Sequence, residues 1–267
     1  MNIRLLLLFS LFASVLCHAE PVKVLYITHL PGRYHDYKAQ MAEFKKHVPQ
    51  FTEVEVTYQA GDHDATVAFL KTPDYAKNHD IIIYNICMAH SFDTEQAHNM
   101  IIQTAEQGKP AMLLHCAMHT FWATFGKPGS RESENTPRLK TEWKANHPKL
   151  DFPDWSKFSG LDTKHHDKQR ELKVTRAEPV HPIVKDFKPE WTIKKDELYV
   201  NVDFKSTATP VLMSHSVQDN KEHVLAWVNQ AGKGQVFGIT LGHGMETFTD
   251  PDYHRVLANA IEFLTAK

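Results

Sequence analysis

The fold class is decided by DIIIYNIC at Asp80–Cys87 and PAMLLHC at Pro110–Cys116. Runs of continuous apolar character are typical of central parallel strands that are covered on both faces. The segment between them, Asp93–Gln107, has the pattern of a helix that is ended by Gly108 and Pro110. This order predicts a βαβ unit with two neighbouring parallel strands.

The same alternation continues on both sides of this unit. KVLYITHL (Lys23–Leu30) predicts a first strand, and Tyr34–Val48 a helix with apolar residues three and four apart. Further strands are predicted at Thr52–Gln59, Leu172–Arg176, Glu197–Val202, Pro210–Met213, His223–Val228 and Gly234–Gly242, with helices at Asp64–Leu70 and Pro251–Ala266. We therefore expect an α/β fold, an open, doubly wound and mostly parallel sheet.

One stretch does not fit this alternation. Phe125–Asp167 is rich in Gly, Pro, Trp and charge and has little periodicity, which predicts a long irregular excursion over the surface. No internal repeat or low-complexity tract is present in the sequence, and residues 20–267 are predicted to form one domain. Trp122, Trp143 and Trp155 lie near or within the excursion, where they can stack on a sugar or anchor local core.

The first nineteen residues are predicted to be a cleaved secretory signal. Arg4 precedes an apolar run from Leu5 to Leu16, and small residues at Cys17 and Ala19 suit cleavage before Glu20. A run of twelve residues is too short to span a membrane, and no second one follows. We expect an exported protein, periplasmic or extracellular, with no integral membrane segment after cleavage. Lipidation of Cys17 remains an alternative.

Charge and composition exclude several classes of partner. The 267 residues are 42% hydrophobic and 23% charged, and 30 Lys plus Arg oppose 32 Asp plus Glu for a net charge of -2. A chain without a basic field is not expected to bind nucleic acid. The abnormal count is 18 histidines. Because imidazole is the commonest metal ligand and titrates near neutral pH, this excess points to chemistry.

Many of these histidines follow predicted strands. Ligands of doubly wound sheets bind beyond the carboxyl ends of the strands, where loops and helix N-termini converge. The positions in question are His29, His35, His90, His115, His119 and His243. Surface or structural roles are expected for His47, His79, His98, His147, His215, His223 and His254.

The densest group is HCAMH at His115–His119, where two imidazoles four residues apart can share one face. Such pairs are typical of zinc sites, which need further ligands from other loops. The best placed are His35, His166 and His243, followed by His165 and His29. Three interpretations stay open: a site for zinc, manganese or iron, metal-free acid–base or substrate-binding chemistry, and histidines that only orient loops.

Cys116 and the acids near residue 196 are further candidates. A thiol on a strand-to-helix turn is the arrangement of cysteine hydrolases, and His243 with Glu246 can complete it. Leu114 and Met118 are bulky where such a turn needs small residues. A disulfide between Cys87 and Cys116 is also conceivable, since both follow adjacent strands.

In KKDELYV, one acid of the pair Asp196 and Glu197 can point into the crevice as general base or ligand, whereas a solvated charged face is the alternative. Of the two, Glu197 is the candidate for a catalytic role.

Together these blocks resemble the ThuA-like (trehalose utilisation) family. The matching pieces are KVLYITHLPGRYHDY, DIIIYNIC, KPAMLLHCAMHTFW, HPIVKDF, KKDELYV and AWVNQAGKGQVFGITLGHGMETF, which span nearly all of Val22–Lys267. The resemblance implies a flavodoxin-like sheet similar to that of class I glutamine amidotransferases. The glycines that flank the amidotransferase nucleophile are absent around Cys116, which argues against amide transfer.

The family further implies a role in sugar metabolism, on a disaccharide or a keto-sugar. With that support, we predict that the catalytic residues are His119, Glu197, His243 and Cys116, that the substrate-binding residues are His29, Trp122 and Glu246, and that the metal ligands are His35, His115, His119 and His166. The expected partner is a small-molecule sugar. Two alternatives remain, a non-catalytic sugar-binding module and a cysteine-dependent hydrolase that uses Cys116.

Overall fold

The computed structural model describes residues 20–122 and 135–266. The predicted signal segment and part of the excursion lie outside the described residues. The strands are β1 Val22–His29, β2 Val54–Gly61, β3 Ile81–Tyr84, β4 Ala111–Leu114, β5 Leu161–His166, β6 Arg170–Arg176, β7 Glu190–Asp196, β8 Tyr199–Phe204, β9 Ala208–Ser216, β10 Lys221–Ala231 and β11 Gly234–Ile239.

A nine-stranded sheet in the order β2-β1-β3-β4-β11-β10-β9-β6-β7 forms the centre of the molecule. Its first half is parallel, because β1 pairs with β2 and β3, β4 with β3, and β11 with β4. From β11 onward the strands pair antiparallel, and β5 and β8 form a separate two-stranded sheet. The predicted α/β class is confirmed, and the parallel half carries the βα units that the sequence indicated.

Helices begin where the sequence offers capping side chains. They are α1 Tyr37–His47, α2 His63–Leu70, α3 Thr94–Ala105, α4 Asn135–Asn146, α5 Trp155–Ser159, α6 Met245–Phe248 and α7 Pro251–Thr265, with 3-10 helices at Val48–Gln50, His115–His119 and Pro182–Val184. The carboxylate before each of α1, α2, α3, α5 and α7 accepts a backbone N–H of the first turn. Asp36 thus starts α1 three residues later than the apolar pattern predicts.

The central strands bury both faces, as their uninterrupted apolar runs predict. Ile81 and Ile83 of β3 pack into one cluster with side chains of α1 and α7. Ile82 and Tyr84 point to the opposite face and pack with side chains of α2 and α3. Because successive strand residues alternate between faces, a run that is apolar throughout requires helices on both sides.

The segment at 125–167 carries more regular structure than its composition predicts. Its described part contains α4, α5 and β5. Trp143 and Trp155 are buried, and Trp155 packs with Phe121 and Phe158 in the core cluster beside α3. These tryptophans therefore anchor local core. Among the described residues, no helix is both long and apolar enough to cross a membrane.

Gly238 allows β10 and β11 to close over a tryptophan. It pairs with Trp227, and a Cβ on Gly238 would lie 2.2 Å from the indole, which is itself fully buried. We expect Gly238→Ala to lower the free energy of unfolding by about 1–3 kcal/mol through overpacking. Denaturant unfolding measures the change.

The matched control is Gly244→Ala. Its Cβ would meet only the far end of the Glu246 side chain, so we expect a change within about 0.5 kcal/mol. Equal losses of stability in the two variants would show that the packing of the Trp227 indole does not require a glycine at position 238.

Candidate functional site

Three histidines from separate loops meet at the carboxyl edge of the parallel half. His35 lies between β1 and α1, His115 begins the 3-10 helix after β4, and His243 lies between β11 and α6. The ring centroids are 4.9 Å apart for His35 and His115, 4.9 Å for His35 and His243, and 5.4 Å for His115 and His243. We call these three residues the imidazole cluster.

Backbone carbonyls fix the tautomers of two of these rings. Nδ1 of His115 lies 2.6 Å from the Thr240 carbonyl, and Nδ1 of His35 lies 3.2 Å from the His243 carbonyl. A carbonyl only accepts, so each Nδ1 carries the proton and each Nε2 keeps a lone pair. One ring nitrogen from each of the three histidines lies within 4.8 Å of the others. This arrangement has the donor type and the carbonyl support of a metal site.

Glu197 faces the imidazole cluster from the turn between β7 and β8. Its Oε1 lies 3.1 Å from Nδ1 of His243 and 3.5 Å from Nδ1 of His166, and its Oε2 lies 3.6 Å from Nε2 of His115. The Gln169 amide donates to the same carboxylate at 3.3 Å. The carboxylate is therefore buried among nitrogen groups and can exchange protons with them.

Burial and the Glu197 carboxylate shift the pKa values of the three imidazoles in opposite directions. Burial lowers the pKa of His35 to about 4 and that of His115 well below its usual value. The hydrogen bond to Glu197 raises the pKa of His243, against the effect of burial. For Glu197, burial acts to raise the pKa, but the hydrogen bond with His243 and the nearby imidazoles lower it. Burial thus favours the neutral form of two imidazoles, and Glu197 favours the charged form of the third.

Asp196 holds the two loops of the site together. Its buried carboxylate accepts the backbone N–H of Gly242 at 2.8 Å, of His243 at 3.2 Å and of Glu197 at 2.7 Å, and the Thr247 hydroxyl. Burial raises its pKa, and these donors oppose that rise. Of the two adjacent acids, Glu197 faces the imidazoles and Asp196 is a positioning residue.

Tyr199 is a site residue that the sequence reasoning missed. Its hydroxyl lies 3.1 Å from Nε2 of His115, and because that nitrogen keeps a lone pair, the hydroxyl donates. Its ring stacks on His119 at 4.4 Å with an interplanar angle of 3°. The sequence feature that could have identified Tyr199 is its two-residue spacing from Glu197, because this spacing places both side chains on one face of an extended segment.

His119 and Trp122 are separated from the imidazole cluster by the ring of Tyr199. The His119 ring is stacked between Tyr199 and Trp122, 4.8 Å from the latter, and its Nε2 is hydrogen-bonded to the Thr163 hydroxyl. Burial lowers the pKa of His119 to about 3. This ring therefore supports the site from behind Tyr199, and its predicted roles as ligand and catalyst stay predictions.

The other predicted positions are spread around the site. His166 is half-exposed at the rim beside Glu197. His29 is buried and accepts the Cys87 N–H at 3.3 Å. His165, the other secondary candidate for a metal ligand, is exposed. Glu246 lies on α6 with its carboxylate 4.0 Å from the Lys195 ammonium. Their predicted roles remain predictions.

Cys116 is joined to Cys87 in a disulfide with the Cα atoms 5.1 Å apart. The strand-to-helix turn has one residue in the left-handed region, and it is His115, with φ of 48°. Gly242, with φ of 119°, approaches the Cβ of His115 on the other side. The strained position of this turn thus presents an imidazole, and Cys116 in this state has no free thiol to act as a nucleophile.

Comparison with known proteins identifies the family of this chain. The family model described as ThuA, trehalose utilisation, matches residues 23–264, and the chain belongs to this family. A comparison with curated protein sequences finds no significant match.

Similar solved structures are ThuA-like proteins from Parabacteroides merdae ATCC 43184 and Bacteroides uniformis ATCC 8492. The first has 16% identity and a TM-score of 0.66, with coverage of 92% of this chain and 91% of the other. The second has 15% identity and a TM-score of 0.62, with coverage of 92% and 93%. A cytoplasmic protein from Salmonella typhimurium LT2 has 10% identity and a TM-score of 0.56, with coverage of 91% and 99%. At these identities the likeness concerns the fold.

Removal of the charge on Asp196 tests its positioning role. We expect Asp196→Asn to lower the free energy of unfolding by about 1–3 kcal/mol, because an amide offers one acceptor oxygen to four donors. The measurement is denaturant unfolding. Asp64→Asn, at a fully exposed carboxylate, is the control and should change stability by less than about 0.5 kcal/mol. Wild-type stability in Asp196→Asn would contradict the role.

The ion pair of His243 can be tested by nuclear magnetic resonance. We expect Glu197→Gln to lower the pKa of His243, because the amide removes the charge that favours the imidazolium. Nitrogen-15 titration of labelled histidine measures it. Glu246→Gln is the control, since that carboxylate faces Lys195. An unchanged pKa of His243 in Glu197→Gln would show that another group holds its proton.

Proposed function

We propose that this chain is an exported carbohydrate-active protein, whose imidazole cluster binds a divalent metal ion and whose Glu197 performs acid–base chemistry on a disaccharide or keto-sugar. The observation that carries the proposal is the convergence of His35, His115 and His243, two of which, His115 and His243, also lie beside the Glu197 carboxylate. The family description supplies the sugar class. The disulfide between Cys87 and Cys116 supports export, because such bonds persist in oxidising compartments.

The donor set suits zinc, manganese or iron. Catalytic zinc sites use three protein ligands, often nitrogen and carboxylate, and keep one position open for water or substrate. Hydrogen bonds from Nδ1 to carbonyls leave the lone pairs of His35 and His115 at Nε2, as ligating histidines require. At His115 a bound ion would replace the Tyr199 hydroxyl as the partner of that lone pair. A bound divalent ion would polarise a sugar carbonyl or hydroxyl oxygen.

Glu197 and the imidazoles supply the proton transfers. The lowered pKa of Glu197 keeps its carboxylate ionised, so that it can accept a proton from a sugar hydroxyl or from the carbon beside a keto group. Glu197 can then return that proton to the departing oxygen, and His243, whose Nδ1 lies 3.1 Å from Oε1, favours the ionised carboxylate between the two transfers. Tyr199 donates to His115 and fixes the direction of that ring. His166, half-exposed at the rim, is placed to meet the sugar as it enters.

Metal content tests the first part of the proposal. We expect the purified mature chain to hold about one divalent ion by elemental analysis and His115→Ala to lose it, because His115 is the most deeply buried donor. His215→Ala is the matched control, since His215 is exposed and pairs with Glu222. Equal metal content in His115→Ala and the wild type would contradict a metal at this cluster.

Turnover of a panel of trehalose-like disaccharides and their keto derivatives tests the second part. We expect Glu197→Gln to lower kcat by about 10²–10⁴, the usual contribution of a general base. Cys116→Ser should retain activity, since the sulfur is held in a disulfide. Loss of activity in Cys116→Ser would favour a cysteine-dependent hydrolase. Sugar binding that weakens in His115→Ala, with no turnover of any sugar, would favour a binding module.

A further inference from the structure

The two sulfur atoms of the disulfide lie beside the imidazole cluster. The sulfurs of Cys87 and Cys116 and a ring nitrogen of His35 are all within 4.8 Å of one another. Cys87 follows β3 and Cys116 follows β4, and these neighbouring parallel strands bring both residues to the same edge of the sheet. The proposed sugar chemistry uses neither sulfur, so this juxtaposition needs its own explanation.

Two thiolates and an imidazole form a donor set that prefers particular metal ions. Thiolate ligands select soft or borderline cations such as zinc and cuprous copper, whereas nitrogen and carboxylate sets also suit manganese and iron. The Nδ1 hydrogen bond of His35 to the His243 carbonyl leaves the neutral ring with one lone pair, at Nε2. The ring thus offers one donor atom to a cation.

We infer that reduction of the Cys87–Cys116 disulfide creates a binding site for a thiophilic metal ion, with the two thiolates and the His35 imidazole as ligands. The reductant is a dithiol. Its two sulfurs become a disulfide by thiol–disulfide exchange, and its two electrons and two protons pass to Cys87 and Cys116. Binding of the cation then releases both thiol protons to solvent, because only thiolates ligate.

The reductant has an entry route at Cys87. Cys116 is 8% exposed, whereas Cys87 is partly accessible and its neighbours at 89–93 form the surface beyond β3. An attacking thiolate therefore meets the Cys87 sulfur first and releases that of Cys116. The second thiolate of the reductant then attacks the reductant's own sulfur in the mixed disulfide and releases Cys87, so that both protein sulfurs are free.

His35 makes the two sites mutually exclusive. It belongs both to the imidazole cluster and to the group with the two sulfurs, and its single lone pair serves one cation at a time. The oxidised chain would offer His35 to the imidazole cluster, and the reduced chain to the thiolates. This inference does not depend on the sugar chemistry, because it concerns which cation the edge of the sheet holds.

Cadmium is a suitable probe, because its complexes with thiolates absorb in the ultraviolet. The mature protein is reduced with a trialkylphosphine, which leaves no competing thiol, and is titrated with Cd²⁺ beside the oxidised protein. We expect one thiolate-to-cadmium absorption step per chain in the reduced protein and none in the oxidised protein. Cys87→Ser should abolish the step, and His35→Ala should weaken the affinity about tenfold or more.

The controls separate this site from the imidazole cluster and from unfolding. His215→Ala should leave the cadmium affinity of the reduced chain unchanged, and His243→Ala should leave the absorption step in place even where it removes metal from the oxidised chain. Equal affinity of His35→Ala and the wild type would overturn the inference. So would a reduced chain without the absorption step, or one that loses its circular dichroism signal on reduction.

Discussion

The buried carboxylate of Asp196 is the interaction on which the site depends. Parallel strands bring loops to one edge of a sheet, but they do not fix how those loops face one another. Asp196 does so by accepting N–H groups from Gly242 and His243 on one loop and from Glu197 on the other. Since those donors would otherwise be buried without partners, the arrangement of His243 and Glu197 is set by backbone hydrogen bonding rather than by their own contact.

A second set of constraints acts on the imidazoles through the backbone. Carbonyls of Thr240 and His243 hold the rings of His115 and His35, and Tyr199 meets His115 from the other side. The resulting site combines two imidazoles, His35 and His115, whose neutral form is favoured and which can ligate a metal or accept a proton, with His243, whose protonated form is favoured by Glu197. Such a division between adjacent titratable groups is common where acid–base chemistry takes place, because their environments separate their pKa values.

The antiparallel half of the large sheet and the separate two-stranded sheet also contribute to the site, although β7 is the last strand in the pairing order. β7 ends at Asp196 and β8 begins at Tyr199, so the turn between them inserts Glu197 into the edge formed by the parallel half. The tryptophans of α4 and α5 belong to packing away from this turn. In this chain a βα half therefore supplies the histidines and a β half supplies the acid.

The sequence by itself determined the α/β class, the strands of the parallel half and the family, because apolar runs and short motifs are local signals. It also placed His35, His115 and His243 after strands. It did not separate the role of Asp196 from that of Glu197, find Tyr199, or show that His119 lies behind that ring. Those distinctions depend on which side chains meet across loops far apart in the chain, and only tertiary packing decides such contacts.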